Sequence, residues 1–273
     1  MSGILQAGVI GWPIGHSRSP KLHGHWLKTY GIAGRYDAVA VEPEVLSGFI
    51  RRLADTGWRG CNVTIPHKEA VFGLVDRVSD TARRIGAINT VIVEDDGRLY
   101  GHNTDAFGFI ENLRQSLPGF DFAAGPALVL GAGGAGRAVV AALQDAGVPE
   151  IRLANRNRGR AEALAAALPD RVTVVDWAGG DLGGINLLVN ATSLGMAGQP
   201  PLDIALDRLP VSALVTDLVY VPLETPLLAA ARARGNPAVD GLGMLLHQAR
   251  PGFAAWFGRE PEVTDALRAA VLA

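Results

Sequence analysis

The stretch 127-ALVLGAGGAGRAVVAAL-143 decides the fold. An apolar run, short enough for one strand, reaches Gly131 and is followed by Gly133 and Gly136 in G-x-G-x-x-G spacing, after which a helix-forming run begins. In that spacing the first glycine permits a tight turn. The second lets a pyrophosphate approach the backbone, and the third lets the helix pack closely on the strand. Amide donors at the helix terminus then face the phosphates. A glycine triplet alone could be a glycine-rich turn, but a strand before it and a helix after it are the context a dinucleotide site needs. Working outward, the chain alternates strand-like and helix-like runs: a helix to Gly147, EIRLAN, a helix to Leu168, VTVV, INLLVNAT, ALVTDLVY, a helix to Gly235, and PAVDG. That alternation predicts a parallel α/β unit.

Upstream lies a second alternation. Strands are expected at 7–11, 36–41 and 61–65 and helices at 21–30 and 45–56, a βαβαβ pattern with right-handed crossovers. Runs at 89–94 and 98–102 flank the turn signal EDDGR and predict a hairpin, which makes the first sheet mixed. Within 60-GCNVTIPHKEA-70, Pro66 denies the sheet its next amide donor and ends the third strand. His67, Lys68 and Glu69 are therefore presented at a strand's carboxyl end, where open α/β sheets bind ligands; the plain alternative is a helix start with solvated charges. A helix over 105–117 leads into PGFDFAAGP, a loop rich in Gly and Pro that joins the two units.

Composition narrows the classes. A chain of 273 residues accommodates one large or two medium domains, and 48% hydrophobic against 19% charged residues supplies a sizeable core. A formal net charge of −2 makes no electrostatic case for nucleic acid or an anionic membrane. The single cysteine, Cys61, excludes an internal disulfide framework and fits packing in a reducing cytoplasm. The opening MSGILQAGVIGWPIG has no export pattern, and no apolar run approaches the ~18 residues of a membrane span. His23 and His25 stand two apart on a helix and share no face, so no metal site is expected.

The second strand of the glycine-loop unit chooses the dinucleotide. NAD sites place an acidic residue near its end for the ribose 2′-hydroxyl, whereas NADP sites place arginine near the 2′-phosphate. Here the strand runs into 154-ANRNRGRAEAL-164, with Asn155 in the acidic position and Arg156, Arg158 and Arg160 behind it. Arginine forks suit a dianionic phosphate, and Arg156 and Arg160 are the expected clamp. The alternative, a basic helix start, is locally unfavourable because positive charge opposes the helix dipole at an amino terminus.

The motifs HSRSP (16–20), NVTIPHKE (62–69), GAINT (86–90), GHNTDAFGF (101–109), GAGGAGRA (131–138), NRNRGRA (155–161), NATSLGM (190–196), DLVY (217–220) and DGLGMLLHQA (240–249) resemble, in this order, those of the shikimate dehydrogenases. The resemblance implies an α/β protein of two domains with a cleft between them. One is an N-terminal substrate domain with a mostly parallel mixed sheet, residues 1–104 plus 244–273. The other is a Rossmann NADP-binding domain, residues 105–243, opened by the connector helix 105–117. It implies NADPH-dependent reversible reduction of 3-dehydroshikimate to shikimate, an oxidoreductase of aromatic amino acid biosynthesis. It also implies a cytoplasmic monomer or homodimer that binds a small molecule, neither nucleic acid nor membrane. Quinate-preferring or dual dehydrogenases and a non-catalytic dinucleotide sensor are the alternatives.

The same resemblance assigns residues. Lys68 and Asp105 match the family's catalytic pair, with lysine exchanging the proton and aspartate polarising the same hydroxyl. Ser17 and Ser19 match the pair that holds the substrate carboxylate, just before a helix beginning near Pro20. Thr64, Asn89, Tyr220 and Gln248 match contacts to the ring substituents. Gly131, Ala132, Gly133, Gly134 and Ala135 match the pyrophosphate loop. Asn155, Arg156 and Arg160 match the 2′-phosphate end, and Thr192, Leu218 and Gly241 match positions along the rest of the cofactor. Chemistry agrees with this set: a ring bearing a carboxylate and hydroxyls needs short hydroxyl and amide partners, and a ketone receiving hydride needs a positioned acid. Read singly, one serine and Asp105 would each pass for a helix cap. Asn157 departs from the family, which commonly has threonine there, and Leu218 stands where methionine is frequent, a change that conserves volume.

Overall fold

The computed structural model describes residues 4–177 and 181–273. The chain divides into two compact units, Met1–Thr104 with Leu245–Ala273, and Asp105–Met244. The first contains β1 (Leu5–Gly11), α1 (Ser19–Thr29), β2 (Gly34–Ala40), α2 (Leu46–Arg51), β3 (Trp58–Val63), β4 (Arg77–Val78), α3 (Asp80–Ile85), β5 (Thr90–Val93) and β6 (Leu99–His102). Its sheet has the order β2-β1-β3-β5-β6-β4. β1 runs parallel to β2 and β3, while β5 is antiparallel to both β3 and β6, so the sheet is mixed. A cluster around Ile10, Ile50, Val63, Val91 and Leu99 fills one face.

The second unit contains α4 (Asp105–Ser116), β7 (Ala127–Leu130), α5 (Gly134–Asp145), β8 (Ile151–Ala154), α6 (Arg158–Ala167), β9 (Val172–Val174), β10 (Leu187–Asn190), β11 (Leu214–Asp217), α7 (Pro226–Ala233) and β12 (Ala238–Val239). All its strand pairs are parallel, in the order β12-β11-β10-β7-β8-β9. Counted within the unit, that is 3-2-1-4-5-6 read from the β9 edge, the order of a dinucleotide-binding sheet, with its reversal between β7 and β10. β7, β10 and β11 are buried at every position; β7 reads as an unbroken apolar run for that reason, while β10 ends in the buried Asn190 and β11 in the buried Thr216 and Asp217. The chain then enters α8 (Leu242–Phe257), whose residues from Leu245 belong to the first unit, and ends in α9 (Asp265–Leu272), which packs against α1.

Local chemistry explains where several elements stop and where the sequence reading needs correction. The helix expected over 45–56 is broken: α2 covers only its first half, with single 3-10 turns at Pro43–Val45 and Ala54–Thr56. There Thr56 donates its hydroxyl to the Leu53 carbonyl at 2.7 Å, a side-chain bond that competes with helix propagation. β3 ends at Val63, two residues before the expected end, and Pro66 is followed by a turn and one 3-10 turn at Ala70–Gly73. α3, unforeseen from sequence, is capped by Ser79, which accepts from the Ala82 amide at 3.1 Å, and closes on Gly86 in the left-handed region.

Candidate active site

In the first unit the strand directions gather polar residues at one end of the sheet. β1, β3 and β6 finish there and β5 begins there, because β5 is antiparallel to its neighbours. The segments carrying Ser17 and Ser19, Thr64 and Lys68, Asn89, and Thr104 therefore all leave or enter the sheet at that end. Backbone bonds fasten them: Trp12 donates to the Ile65 carbonyl at 3.1 Å, Val63 to Asn89 at 2.8 Å, and Ile88 to Lys68 at 2.8 Å. His67 is buried and its Nε2 lies 2.7 Å from the Val41 carbonyl, so it anchors the tip that presents the half-buried Lys68.

Ser19 is the first residue of α1, one residue before the expected start near Pro20, so only Ser17 precedes the helix. Pro20 sits in the first turn, where its missing amide costs nothing. Neither serine caps the helix, because the cap position is Arg18 and it makes no side-chain cap bond. The hydroxyl of Ser17 instead accepts from the Ser19 amide at 3.3 Å. The helix-cap alternative for this pair is thereby set aside.

Behind these segments runs a buried hydrogen-bonded chain. The Tyr36 hydroxyl donates to Asn62 Oδ1 at 2.5 Å, and Asn62 Nδ2 donates to Thr90 Oγ1 at 3.2 Å. Thr90 Oγ1 donates to Asn89 Oδ1 at 3.0 Å. Asn89 Nδ2 donates to Thr104 Oγ1 at 3.0 Å and to Gln248 Oε1 at 3.3 Å, and Thr104 Oγ1 donates to the Gln248 carbonyl at 2.8 Å. The structure thus unites Asn89 with Gln248, 159 positions away, through Thr104. Burial raises the Tyr36 pKa well above its ordinary value and lifts the Cys61 thiol to about 12, so both stay protonated, and Cys61 is a packing residue.

In the second unit the glycine loop lies at the reversal of strand order. Gly131 has φ 110°, closed to L side chains, and a Cβ there would come within 2.9 Å of the Ala191 carbonyl and the Thr192 methyl. A Cβ on Gly136 would collide with the Gly131 carbonyl. Gly133 differs: it is exposed, caps α5, and a Cβ on it would meet no protein atom. Nothing in the chain itself requires glycine at 133, and a phosphate drawn to the α5 terminus supplies the requirement, so the loop fits the dinucleotide. Ala132 lies in the turn before Gly133, and Gly134 and Ala135 are the first two residues of α5. Asn155 Oδ1 accepts from the Ala132 amide at 3.1 Å while its Nδ2 donates to the Asn157 carbonyl at 2.8 Å, joining the loop to the arginine segment.

The three arginines are not equivalent. Arg158 is already engaged, its Nε 3.0 Å from Glu162 and its NH1 2.9 Å from Asp176. Arg156 and Arg160 are exposed, and neither side chain has an acidic partner among the described residues. Asn157 caps α6, accepting from the Arg160 amide at 3.2 Å. Asparagine and threonine both cap helices, so the departure from the family pattern preserves this role.

Beyond β11, Leu218 donates its amide to the Asn190 carbonyl at 2.9 Å, and Tyr220 follows, half-buried. Gly241 packs so closely on Leu218 that a Cβ would collide with its carbonyl, which brings these two predicted cofactor positions together. Asp105 is buried at the first position of α4. Sequence reading did not single out Thr104, Thr90, Asn62, Asn190 or Asp217. Their signal was only membership of the quoted motifs, without a role. Among the described residues no helix is long and apolar enough to cross a membrane, and no group of three or more His, Cys, Asp or Glu could hold a metal ion.

Comparison with known proteins agrees in both units. The family model described as the shikimate dehydrogenase substrate binding domain matches residues 9–91, that of shikimate / quinate 5-dehydrogenase matches 113–193, and that of the shikimate 5′-dehydrogenase C-terminal domain matches 241–272. A shikimate dehydrogenase (NADP(+)) of Paramagnetospirillum magneticum is 63% identical over 100% of both chains. The crystal structure of the Thermus thermophilus shikimate 5-dehydrogenase in complex with NADP(H) and shikimate has a TM-score of 0.89 and 40% identity, covering 98% of this chain and 99% of that one. Quinate dehydrogenase from Corynebacterium glutamicum in complex with NAD reaches a TM-score of 0.90 at 34% identity, covering 98% and 99%.

Proposed function

The chain belongs to the shikimate dehydrogenase family, and from that premise we propose that it catalyses the reversible NADPH-dependent reduction of 3-dehydroshikimate to shikimate. The observation that carries the reading is 63% identity over the whole of both chains with an NADP-dependent member. The free Arg156 and Arg160 beside a glycine loop that fits a dinucleotide support the cofactor half of it. In this reading residues 1–104 with 244–273 bind the substrate and residues 105–243 bind the cofactor.

NADPH, when bound, supplies the hydride. The chain's own residues do the rest. Ser17 and Ser19 take the substrate carboxylate, and Thr64, Asn89, Gln248 and Tyr220 take the ring hydroxyls. As negative charge develops on the ketone oxygen, the Lys68 ammonium gives it a proton and Asp105 polarises the resulting hydroxyl; the reverse reaction returns that proton. Gly131 to Ala135 receive the pyrophosphate, Asn155, Arg156 and Arg160 the 2′-phosphate end, and Thr192, Leu218 and Gly241 line the remainder. The buried bonds of Asn89 with Thr104 and Gln248 hold two of these amides in one orientation before substrate arrives, and such preorganisation lowers the entropy lost on binding. A cytoplasmic location and a monomeric or homodimeric state complete the reading, the latter measurable by sedimentation.

A second reading, quinate preference, is favoured by the quinate dehydrogenase among the similar structures. One assay separates the two: formation of the reduced cofactor, NADPH or NADH, followed spectrophotometrically with shikimate and with quinate, each with NADP+ and NAD+. The proposal expects shikimate with NADP+ to give the highest kcat/KM, and a higher value for quinate or for NAD+ overturns it.

A further inference from the structure

Asp217 ends β11 with a carboxylate that is fully buried and, among the described residues, has no cationic partner. Burying an unpaired charge is unfavourable, and a residue of this kind is unexplained by packing alone. Burial pushes its pKa up to about 6, against hydrogen bonds from Thr225, Val219 and Asn190 that pull the other way. Those bonds reach three segments. Asn190 Nδ2 donates to Oδ1 at 2.9 Å and the Val219 amide donates to the same oxygen at 3.0 Å. The Thr225 hydroxyl donates to Oδ2 at 2.7 Å while accepting from the Leu228 amide at the start of α7.

The Asn190 arm continues toward the glycine loop. Asn190 Oδ1 accepts from both the amide and the hydroxyl of Thr192, at 3.1 and 2.7 Å, and its Nδ2 also donates to the Leu194 carbonyl at 3.1 Å. Thr192 Oγ1 accepts from the Leu194 amide at 3.0 Å, so the loop is closed on itself and held from below. The Thr192 methyl then faces Gly131 at the reversal of strand order. The other arm reaches only α7. We propose that Asp217 is a positioning residue for cofactor binding, its carboxylate fixing the Asn190–Thr192 loop and the backbone after β11 in the arrangement that receives the dinucleotide. This rests on the reading that the second unit binds NADP.

The two arms allow a test that a merely structural role would not satisfy. Asp217→Ala cuts both arms and also takes the acceptor from the Val219 amide, Asn190→Ala cuts only the loop arm, and Thr225→Ala only the helix arm. Dissociation constants for NADP+, NAD+ and shikimate are measured by calorimetry and Tm by scanning calorimetry. Asp217→Ala and Asn190→Ala should weaken NADP+ and NAD+ by the same factor, roughly tenfold, the scale of a buried hydrogen bond broken in the loop arm they share. Shikimate affinity should not move. Thr225→Ala should lower Tm as a lost helix cap does, with cofactor affinity within about twofold of the parent. Asp217→Asn keeps an acceptor toward Asn190 and Val219 and reverses the bond to Thr225, so it should retain most of the affinity. Folded Asp217→Ala or Asn190→Ala protein with unmoved NADP+ affinity overturns the assignment, as does a loss in Thr225→Ala equal to theirs. If Asp217→Ala does not fold, Asn190→Ala decides alone. A parent chain that fails to bind NADP+ sinks the cofactor reading and this inference with it, whereas normal parent binding with unmoved variants sinks only this inference.

Discussion

Replacing the arginines after β8 one at a time tests cofactor choice most directly, because the structure assigns them different starting states. Arg156 and Arg160 are exposed and without an acidic partner among the described residues, so no existing ion pair must break before either meets a phosphate. A hydrogen bond to a charged group contributes about 1.5–3 kcal/mol, and exposure to water and salt places these contacts at the lower end. At about 1.5 kcal/mol each, Arg156→Ala and Arg160→Ala should raise the KM for NADP+ roughly tenfold singly and about 100-fold together. Arg158 is already committed to Glu162 and Asp176, and exposed pairs of this kind contribute about 0–1 kcal/mol, so Arg158→Ala should change KM less than about fivefold. NAD+ lacks the 2′-phosphate, and its KM should stay within about twofold in all four variants. The assay is initial-rate kinetics with saturating shikimate at two salt concentrations, the higher of which should shrink the arginine effect. Equal losses with NAD+ and NADP+, or an Arg158→Ala loss as large as the others, would refute the clamp.

Lys68→Met keeps much of the side-chain volume and removes the acid, so kcat should fall by about 10²–10⁴ while dissociation constants for shikimate and NADP+ change far less; near-normal kcat defeats the mechanism. Asp105→Asn should also lower kcat, and a double variant little worse than the worse single one would identify the two as a unit. Ser17→Ala should weaken shikimate by roughly 1–3 kcal/mol with NADP+ binding unchanged, and calorimetry showing unmoved shikimate affinity would place the carboxylate elsewhere. For acid stability, burial lowers the pKa of His23, stacked on Tyr36 at 3.8 Å, from 6.5 to about 3. Below pH 6.5 the unfolded chain takes up a proton that the folded one refuses. The contribution is therefore complete above pH 6.5 and is lost, at about 1.4 kcal/mol per pH unit, as pH falls toward 3. His23→Phe should flatten that loss in urea unfolding between pH 6.5 and 4.5, and an unchanged slope would show that other groups govern it.

Local sequence alone determined a great deal here. The spacing of Gly131, Gly133 and Gly136, the apolar run of β7, and the arginines after β8 each act over a few residues, so their meaning survives without knowing what lies nearby in space. The hairpin around EDDGR was legible for the same reason, and with it the mixed character of the first sheet. The helix expected over 45–56 is a broken segment, α2 stopping at Arg51 ahead of a 3-10 turn that Gly57 closes in the left-handed region, a choice that periodicity does not register. What only the tertiary structure decided is which polar groups have partners. Arg158 is distinguished from its neighbours partly by Asp176, 18 positions away, and Asn89 meets Gln248 only because the chain returns to the first unit after 159 residues. Asp217 read as one letter of a motif until folding placed Asn190 and Thr225 on its two oxygens. A hydrogen bond is satisfied by whatever donor lies within about 3 Å, and sequence distance does not fix that proximity.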